Sequence, residues 1–142
     1  MVAAPHRRDE HGMITLWILG LTISVMFLGG IGVDLWRAIA VRREVSMMAD
    51  AAAGAGANGL DENALRGGSL QLDDARVREL VAAELSEYPG AARLDGEQVT
   101  IVGAQVNVAL REQVHFSLLG IFMGRGQFVV QANATAEPRE LP

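Results

Sequence analysis

The chain has 142 residues, a formal net charge of -5 and no cysteine. This length leaves room for one compact domain, or for a membrane segment followed by a small domain. The acidic balance argues against a nucleic-acid partner, which needs clustered cations to displace counterions from phosphate, and the lack of cysteine excludes disulfides, thiolate metal sites and a cysteine nucleophile.

Residues 13–33 form an apolar run without a single charged residue or histidine. In a helix with a rise of about 1.5 Å per residue, such a run spans roughly 31 Å, close to the bilayer core of about 30 Å. Trp17 and Trp36 lie near its two ends, where indole rings favour the membrane interface. The run predicts one transmembrane helix, with residues 1–12 as a short tail and lipid as a partner.

Two other interpretations of the run are weaker. A buried core helix that is apolar on every face needs a larger chain to cover it. A secretory signal cut after Ala38-Ile39-Ala40 would contain an apolar region longer than the usual stretch of about 7–15 residues. Basic residues are nearly balanced on the two flanks, so charge alone leaves the orientation in the membrane open.

Residues 34–58 continue the helical pattern without a proline. Ala49, Ala53 and Ala57 recur every four residues and form a smooth strip on one helix face. Small residues at this spacing let another helix approach closely, although the same pattern suits a solvent-exposed alanine-rich helix. We interpret the strip as a packing face just outside the membrane.

Within the membrane run, Gly20 and Ser24 form a second small pair. Asp34 stands at the boundary of the run, either as an interfacial stop residue or as a polar contact with a neighbouring membrane helix. The predicted helix-packing interface therefore comprises Gly20, Ser24, Asp34, Ala49, Ala53 and Ala57.

Residues 70–137 predict a small domain, preceded by loop or turn residues around Asn58-Gly59 and Gly67-Gly68. Asp73 or Asp74 suits an N-cap, and Pro89-Gly90 ends the helix that follows. Its apolar stripe consists of Val77, Leu80, Val81 and Leu85. Alternating runs that begin at Gln98 predict three strands; their apolar members are Val99 and Ile101, then Val106, Val108 and Leu110, then Phe128, Val130, Ala132 and Ala134.

The predicted fold class is therefore α+β. A long transmembrane helix extends into a small domain with one further helix and about three antiparallel strands that share one apolar face. Gly103 marks a hinge or tight turn between the first two strands, and the short apolar segment 116–123 is ambiguous.

No group of residues predicts catalysis, a metal or a cofactor. The segment 6–11 holds two histidines and two carboxylates, but it is short and terminal, and a solvated flank of the membrane helix explains it better. His115 is a lone histidine at a strand end with Glu112 as its near acid, and nothing in the sequence supports a catalytic triad. The glycines at 29–32 and 124–126 lack the spacing of a phosphate loop, so no small-molecule substrate is evident.

The order of features resembles the N-terminal region of TadE/TadG-like Flp pilus-assembly proteins. The resemblance rests on RDEHG before the apolar run, on Val33-Asp34-Leu35-Trp36-Arg37 after it, and on ADAAAGAGA at 49–57. It covers about residues 7 to 58 and implies a pilin-like architecture, with the N-terminus cytoplasmic and the C-terminal domain outside the cell membrane. It also implies other Tad/Flp membrane proteins as partners.

The same resemblance implies a candidate processing site between Gly12 and Met13. Prepilin-peptidase substrates have Gly before the cut and usually Glu at the fifth position after it. Here the fifth residue is Trp17, so the chain is closer to the unprocessed, TadG-like members.

The leading functional hypothesis is a non-enzymatic single-pass component of a Tad/Flp-type pilus or secretion assembly. The alternatives are a membrane-tethered envelope binding domain unrelated to pili and, with least support, a small envelope hydrolase. Replacing residues 13–33 by an unrelated membrane segment separates the first two, because only a tethered domain tolerates it.

Overall fold

The computed structural model describes residues 10–116, 120, 124 and 126–138. Its helices are α1 (Glu10–Gly56), α2 (Glu62–Arg66), α3 (Asp74–Ser86) and a short 3-10 helix (Pro89–Arg93), and its strands are β1 (Leu94–Val102), β2 (Gln105–His115) and β3 (Gln127–Ala136). The predicted α+β class, with a long N-terminal helix and a three-stranded antiparallel sheet, is confirmed.

Helix α1 is continuous over 47 residues and covers both the predicted membrane run and most of its extension. At about 1.5 Å per residue it is roughly 70 Å long. Residues 12–29 are exposed on every face, whereas from Asp34 onward one face becomes buried. Among the described residues it is the one helix that is long and apolar enough to cross a membrane.

The segment between α1 and α3, predicted as loop, contains the short helix α2. The Asp61 side chain caps it by accepting hydrogen bonds from the backbone N–H groups of Asn63, at 2.8 Å, and Ala64, at 3.3 Å. Gly68, with φ of +78°, follows the helix, as expected for a residue without a Cβ.

Helix α3 begins as predicted, because the Asp73 carboxylate accepts from the N–H groups of Ala75 and Arg76 at 2.9 and 3.2 Å. Three members of its apolar stripe are buried, namely Val77, Val81 and Leu85, and Leu80 is half-buried. The helix ends before Pro89-Gly90, which begins the 3-10 helix.

The sheet has the order β1-β2-β3 and is antiparallel throughout. Gly103, with φ of +62°, lies in the tight turn between β1 and β2, as the sequence predicts. Strand β1 begins at Leu94, earlier than the predicted Gln98, because its first residues pair with the end of β2 through an irregularity at Leu94–Gly96. The register places Val108 between Val99 and Ala134.

One face of the sheet packs on the C-terminal half of α1, and α3 packs beside α1 to complete the core. A Cβ placed on Gly56 would lie 3.0 Å from Val81 Cγ2 and 3.1 Å from Val106 Cγ1, so the end of α1 meets the β1–β2 end of the sheet. At the other end, Phe128 borders the same groove as Leu35. The β2–β3 end of the sheet therefore lies closest to the apolar half of α1.

Candidate interaction surfaces

The Gly20 and Ser24 pair lies on an open face of α1. Both residues are exposed, and a Cβ built on Gly20 meets nothing within 4 Å. The Ser24 hydroxyl donates to the Gly20 carbonyl at 2.8 Å, so its polarity is satisfied inside the helix. Leu16, Trp17 and Leu21 border the shallow groove at this position. A second helix can therefore approach the α1 backbone closely here.

Asp34 is only 3% exposed, although its neighbours Val33 and Leu35 are more than half exposed. It lies on the helix face that continues to Val45, and it takes part in an interaction within the chain. Burial of a carboxylate is costly unless it is partnered. The structure thus turns Asp34 toward the chain's own domain.

The structure places Ala49, Ala53 and Ala57 at 0%, 1% and 4% exposure inside this chain. Ala49 and Ala53 belong to the core cluster that contains Val77 and Val106. Their small side chains do permit a close approach to α1, and the elements that approach are the chain's own helix and sheet. A partner helix would reach this strip only if those elements moved away.

Gly12 and Met13 lie in the first turns of α1 and are exposed. The remainder of the predicted tail, residues 1–9, lies outside the described residues. The candidate processing bond is therefore placed within helical backbone, at the start of the apolar run.

A groove that the sequence did not single out lies where the β2–β3 end of the sheet meets α1. Leu35, Ile39, Phe128 and Val129 line it, and the rings of Phe116 and Phe128 lie 6.0 Å apart. Phe128 was predicted to share the apolar face of its strand, yet it is 51% exposed, because it lies past the end of the core. The adjacent apolar pair Phe128-Val129 breaks the alternation of the strand and is the signal that marks this groove.

Arg93 joins α1 to the sheet through two carboxylates. Its Nη2 lies 2.7 Å from Glu44 Oε1, and its Nε lies 3.2 Å from Glu112 Oε1. The two negative charges, Glu44 more than Glu112, raise the pKa of Arg93 above its ordinary value. Glu112 is buried, and its second oxygen has no hydrogen-bond partner among the described residues.

The Arg93 contacts were missed at the sequence level because they join residues 49 and 19 positions apart. One local signal existed, since Glu112 occupies a core-facing position of β2 between Leu110 and Val114. The cluster ties elements together, and it contains no nucleophile. Within the described ranges no group of three or more histidines and carboxylates is arranged to hold a metal.

Comparison with known proteins bears on the N-terminal third of the chain. Residues 12–59 match the Tad family model, which describes Flp pilus-assembly TadE/G-like proteins. The resemblance drawn from the VDLWR and ADAAAGAGA segments is thereby confirmed. The matched segment covers nearly all of α1, whereas α3 and the sheet lie outside it.

Neither the comparison with curated proteins nor that with solved structures returned a match. The family match and the candidate membrane helix together support a role in pilus assembly and an association with the membrane.

Proposed function

We propose that this chain is a non-enzymatic, single-pass membrane component of a Tad/Flp-type pilus or secretion assembly. Its partners would be lipid and the other membrane proteins of that assembly. The observation that carries the proposal is α1 itself, which joins an exposed apolar segment with the family match to a packed domain without a break. Such a helix would fix the position and orientation of the domain relative to the membrane segment.

The exposed half of α1 supports insertion into lipid. Leu16, Trp17 and Met26 are each at least 70% exposed. An apolar surface of this size is rare on a soluble monomer. The eleven Leu, Ile, Val and Phe residues of the run contribute on the order of -5 kcal/mol toward insertion. The hydrocarbon core of a bilayer is the environment that would remove this apolar surface from water.

The proposed topology has the N-terminus in the cytoplasm and residues 70–137 outside the membrane. It is supported by the family resemblance. The chain has no cysteine, so one introduced at the exposed Val102 would report the location of the domain. In cells whose outer envelope layers have been removed and whose cell membrane is intact, we expect this thiol to react with a membrane-impermeant maleimide. If the thiol were labelled only after lysis, residues 70–137 would lie in the cytoplasm and the proposed topology would be wrong.

The proposed packing face in the membrane is centred on Gly20 and Ser24, and the buried Asp34 lies outside it. Since the alanines of the strip are buried within the chain, partner contacts would concentrate on the exposed pair. The packing of small residues against a second helix is a common means of association in lipid.

The test is Gly20→Leu, which fills the gap beside the backbone while keeping the segment apolar. We expect co-purification with the other Tad/Flp membrane proteins to fall at least several-fold, with membrane insertion unchanged. Met26→Leu is the matched control, because Met26 is exposed and lies about 120° from Gly20 and about 160° from Ser24 around the helix. Equal recovery of partners with both variants would count against this face.

We further propose that residues 1–12 are retained in the mature protein, because Trp17 stands where a processed prepilin has Glu. The intact mass of the membrane-extracted chain tests this directly. Loss of residues 1–12 or of residues 1–40 would give two distinct smaller masses, and either would contradict retention.

A membrane-tethered binding domain unrelated to pili is the second candidate. The observation that favours it is that α3 and the sheet carry most of the core while lying outside the family match. Replacement of residues 13–33 by an unrelated membrane segment would preserve the function of a tethered domain and abolish that of a pilus component.

A further inference from the structure

We propose that the β2–β3 end of the sheet rests on the headgroup layer of the same bilayer that α1 crosses. The contact surface, here called the lipid-facing patch, consists of Leu35, Ile39, Phe116, Phe128 and Val129. This inference rests on the proposed function, since it requires α1 to span the membrane. It adds a second lipid contact, made by the domain rather than by the helix.

The position of the patch along α1 sets its depth. Leu35 and Ile39 lie two and six residues beyond Val33, the end of the apolar run. In a helix these offsets correspond to roughly 3 and 9 Å along the axis. Each headgroup layer is about 5–7 Å thick, the difference between a total of about 40–45 Å and a core of about 30 Å, shared by two sides. Leu35 therefore lies within the headgroup layer, and Ile39 lies just beyond its outer edge.

All five side chains of the patch are apolar; four of them are well exposed, and Phe116 is half-buried. Phe128 and Val129 are 51% and 52% exposed. Because successive strand residues point to opposite faces of a sheet, neither face of β3 is covered where the strand begins. Leu35 is 55% exposed and Ile39 45%. The domain core ends above these residues and does not shield them from their surroundings.

The sequence around the patch suits an anionic lipid surface. Arg42 lines the groove, and Arg37 is exposed five residues nearer the apolar run. The Phe116 N–H donates to the Gly126 carbonyl at 3.0 Å, so both ends of the β2–β3 connection lie at this end of the sheet. By sequence the connection 117–125 carries five large apolar residues, no carboxylate and one arginine. Basic residues at this level attract anionic headgroups.

Continuity with the helix surface identifies lipid as the occupant. Leu35 follows directly on the exposed apolar surface that includes Leu28 and Val33, with no polar boundary of exposed carboxylates between them. The lipid that solvates Val33 thus meets Leu35 and the start of β3 next. A second copy or another protein at this place would have to displace that lipid.

The lack of native cysteine allows a direct test in the full chain. Single cysteines replace Val129 in the patch, Val102 at the far end of the sheet and Met26 in the apolar run; all three residues are more than half exposed. Each variant is labelled with an environment-sensitive fluorophore and reconstituted in vesicles of phosphatidylethanolamine and phosphatidylglycerol. Quenchers are lipids with a nitroxide near the headgroup, lipids with a nitroxide deep in the chain, and aqueous iodide.

We expect the probe at 129 to be quenched at least threefold more than the probe at 102 by the shallow nitroxide, and iodide to show the reverse order. Phe128→Cys provides a second position should labelling at 129 disturb the strand. Equal iodide quenching at 129 and 102 would overturn the proposal, because the patch would then face water. Shielding of 129 from both lipid and iodide would also overturn it, in favour of a second copy or another protein.

The probe at Met26 separates this inference from the proposed function. Strong quenching there by the deep nitroxide, together with no shallow quenching at 129, removes the lipid-facing patch and leaves the membrane span in place. Absence of deep quenching at Met26 removes both, since the patch has no fixed depth without the span.

Discussion

At the residue scale, Gly59 brings the segment after α1 close to the start of α3. A Cβ on this residue would lie 2.8 Å from Val77 Cγ2, 2.9 Å from the Val77 backbone nitrogen and 3.0 Å from its Cα. The Gly59 carbonyl also accepts a hydrogen bond from Asp73 N–H at 2.9 Å, which holds the segment against the cap of α3. Only a residue without a side chain fits this approach.

Gly59→Ala is therefore expected to destabilise the domain by about 1–3 kcal/mol, because two of the obstructing atoms belong to helix backbone and cannot rotate away. Thermal unfolding of the detergent-solubilised chain, followed by circular dichroism, measures the loss. Gly54→Ala is the matched control, since a Cβ there meets nothing within 4 Å, and the change favours the helix by up to about 1 kcal/mol. A melting temperature that falls equally for both variants would contradict the contact.

The Arg93 contacts supply a second residue-scale prediction. Arg93→Ala leaves the buried Glu112 carboxylate without its cation, so we expect a loss of about 1–2 kcal/mol in the free energy of unfolding. Arg76→Ala removes the Arg76–Glu79 pair at 2.8 Å on the exposed face of α3, where the expected change is within about 0.5 kcal/mol. Chemical denaturation of the two variants gives the comparison.

Adding Glu112→Gln to Arg93→Ala tests whether the unpaired Glu112 charge causes the loss of stability. The double variant is expected to recover part of the lost stability, because a neutral amide costs less to bury than an unpaired carboxylate. A double variant less stable than Arg93→Ala alone would show that the Glu112 charge is held by something other than Arg93.

At the element scale, the C-terminal half of α1 is the central core element of the domain. It contacts α3 on one side and strands β2 and β3 on the other. Ala53→Leu places three additional carbons at a position that is 1% exposed, so we expect a loss of about 1–3 kcal/mol through overpacking. Ala40→Leu on an exposed position of the same helix is the control and is expected to leave the melting temperature unchanged.

This experiment also distinguishes the two roles of the alanine strip. A destabilised domain that still binds its partners assigns Ala53 to the core of its own chain. Full stability combined with loss of co-purification would instead assign Ala53 to a partner interface.

Local signals made most elements predictable. Asp73 marked the start of α3, the spacing of Val77, Val81 and Leu85 marked its buried face, and Gly103 marked the β1–β2 turn. Each depends on residues within a few positions of one another, which is the range over which capping and periodicity act. The apolar run predicted the exposed half of α1, because it is likewise a property of residues that are adjacent in the sequence.

What packs against each surface was not predictable in this way. Small residues at a spacing of four look the same whether a partner helix or the chain's own sheet covers them, so the occupant of the Ala53 face emerged only from the fold. The contacts of Arg93 with Glu44 and Glu112 depend on the tertiary structure. The groove at Phe128 arises where the sheet ends relative to α1, and that offset follows from strand register.

At the scale of the whole molecule, one unbroken helix fixes the rotation of the domain relative to the apolar half of α1 about the helix axis. Because each residue of α1 turns the chain by about 100°, the Gly20–Ser24 face and the sheet keep a constant angle to one another. A pilus component that contacts partners both within and outside the membrane depends on that angle. The function of a tethered binding domain does not depend on that angle. Changing the angle therefore distinguishes the two candidate functions.

Inserting two leucines after Val25 rotates the Gly20–Ser24 face by about 200° relative to the domain, while four leucines rotate it by about 400°, which is only some 40° from the original. Four additional residues extend the apolar run to 25, still within the range of about 17–25 that spans a bilayer. We expect the two-residue insertion to abolish co-purification with pilus-assembly partners and the four-residue insertion to restore much of it, with both variants in the membrane fraction. If the shorter insertion is tolerated at least as well as the longer, the helix acts as an anchor alone and the rotational coupling is absent.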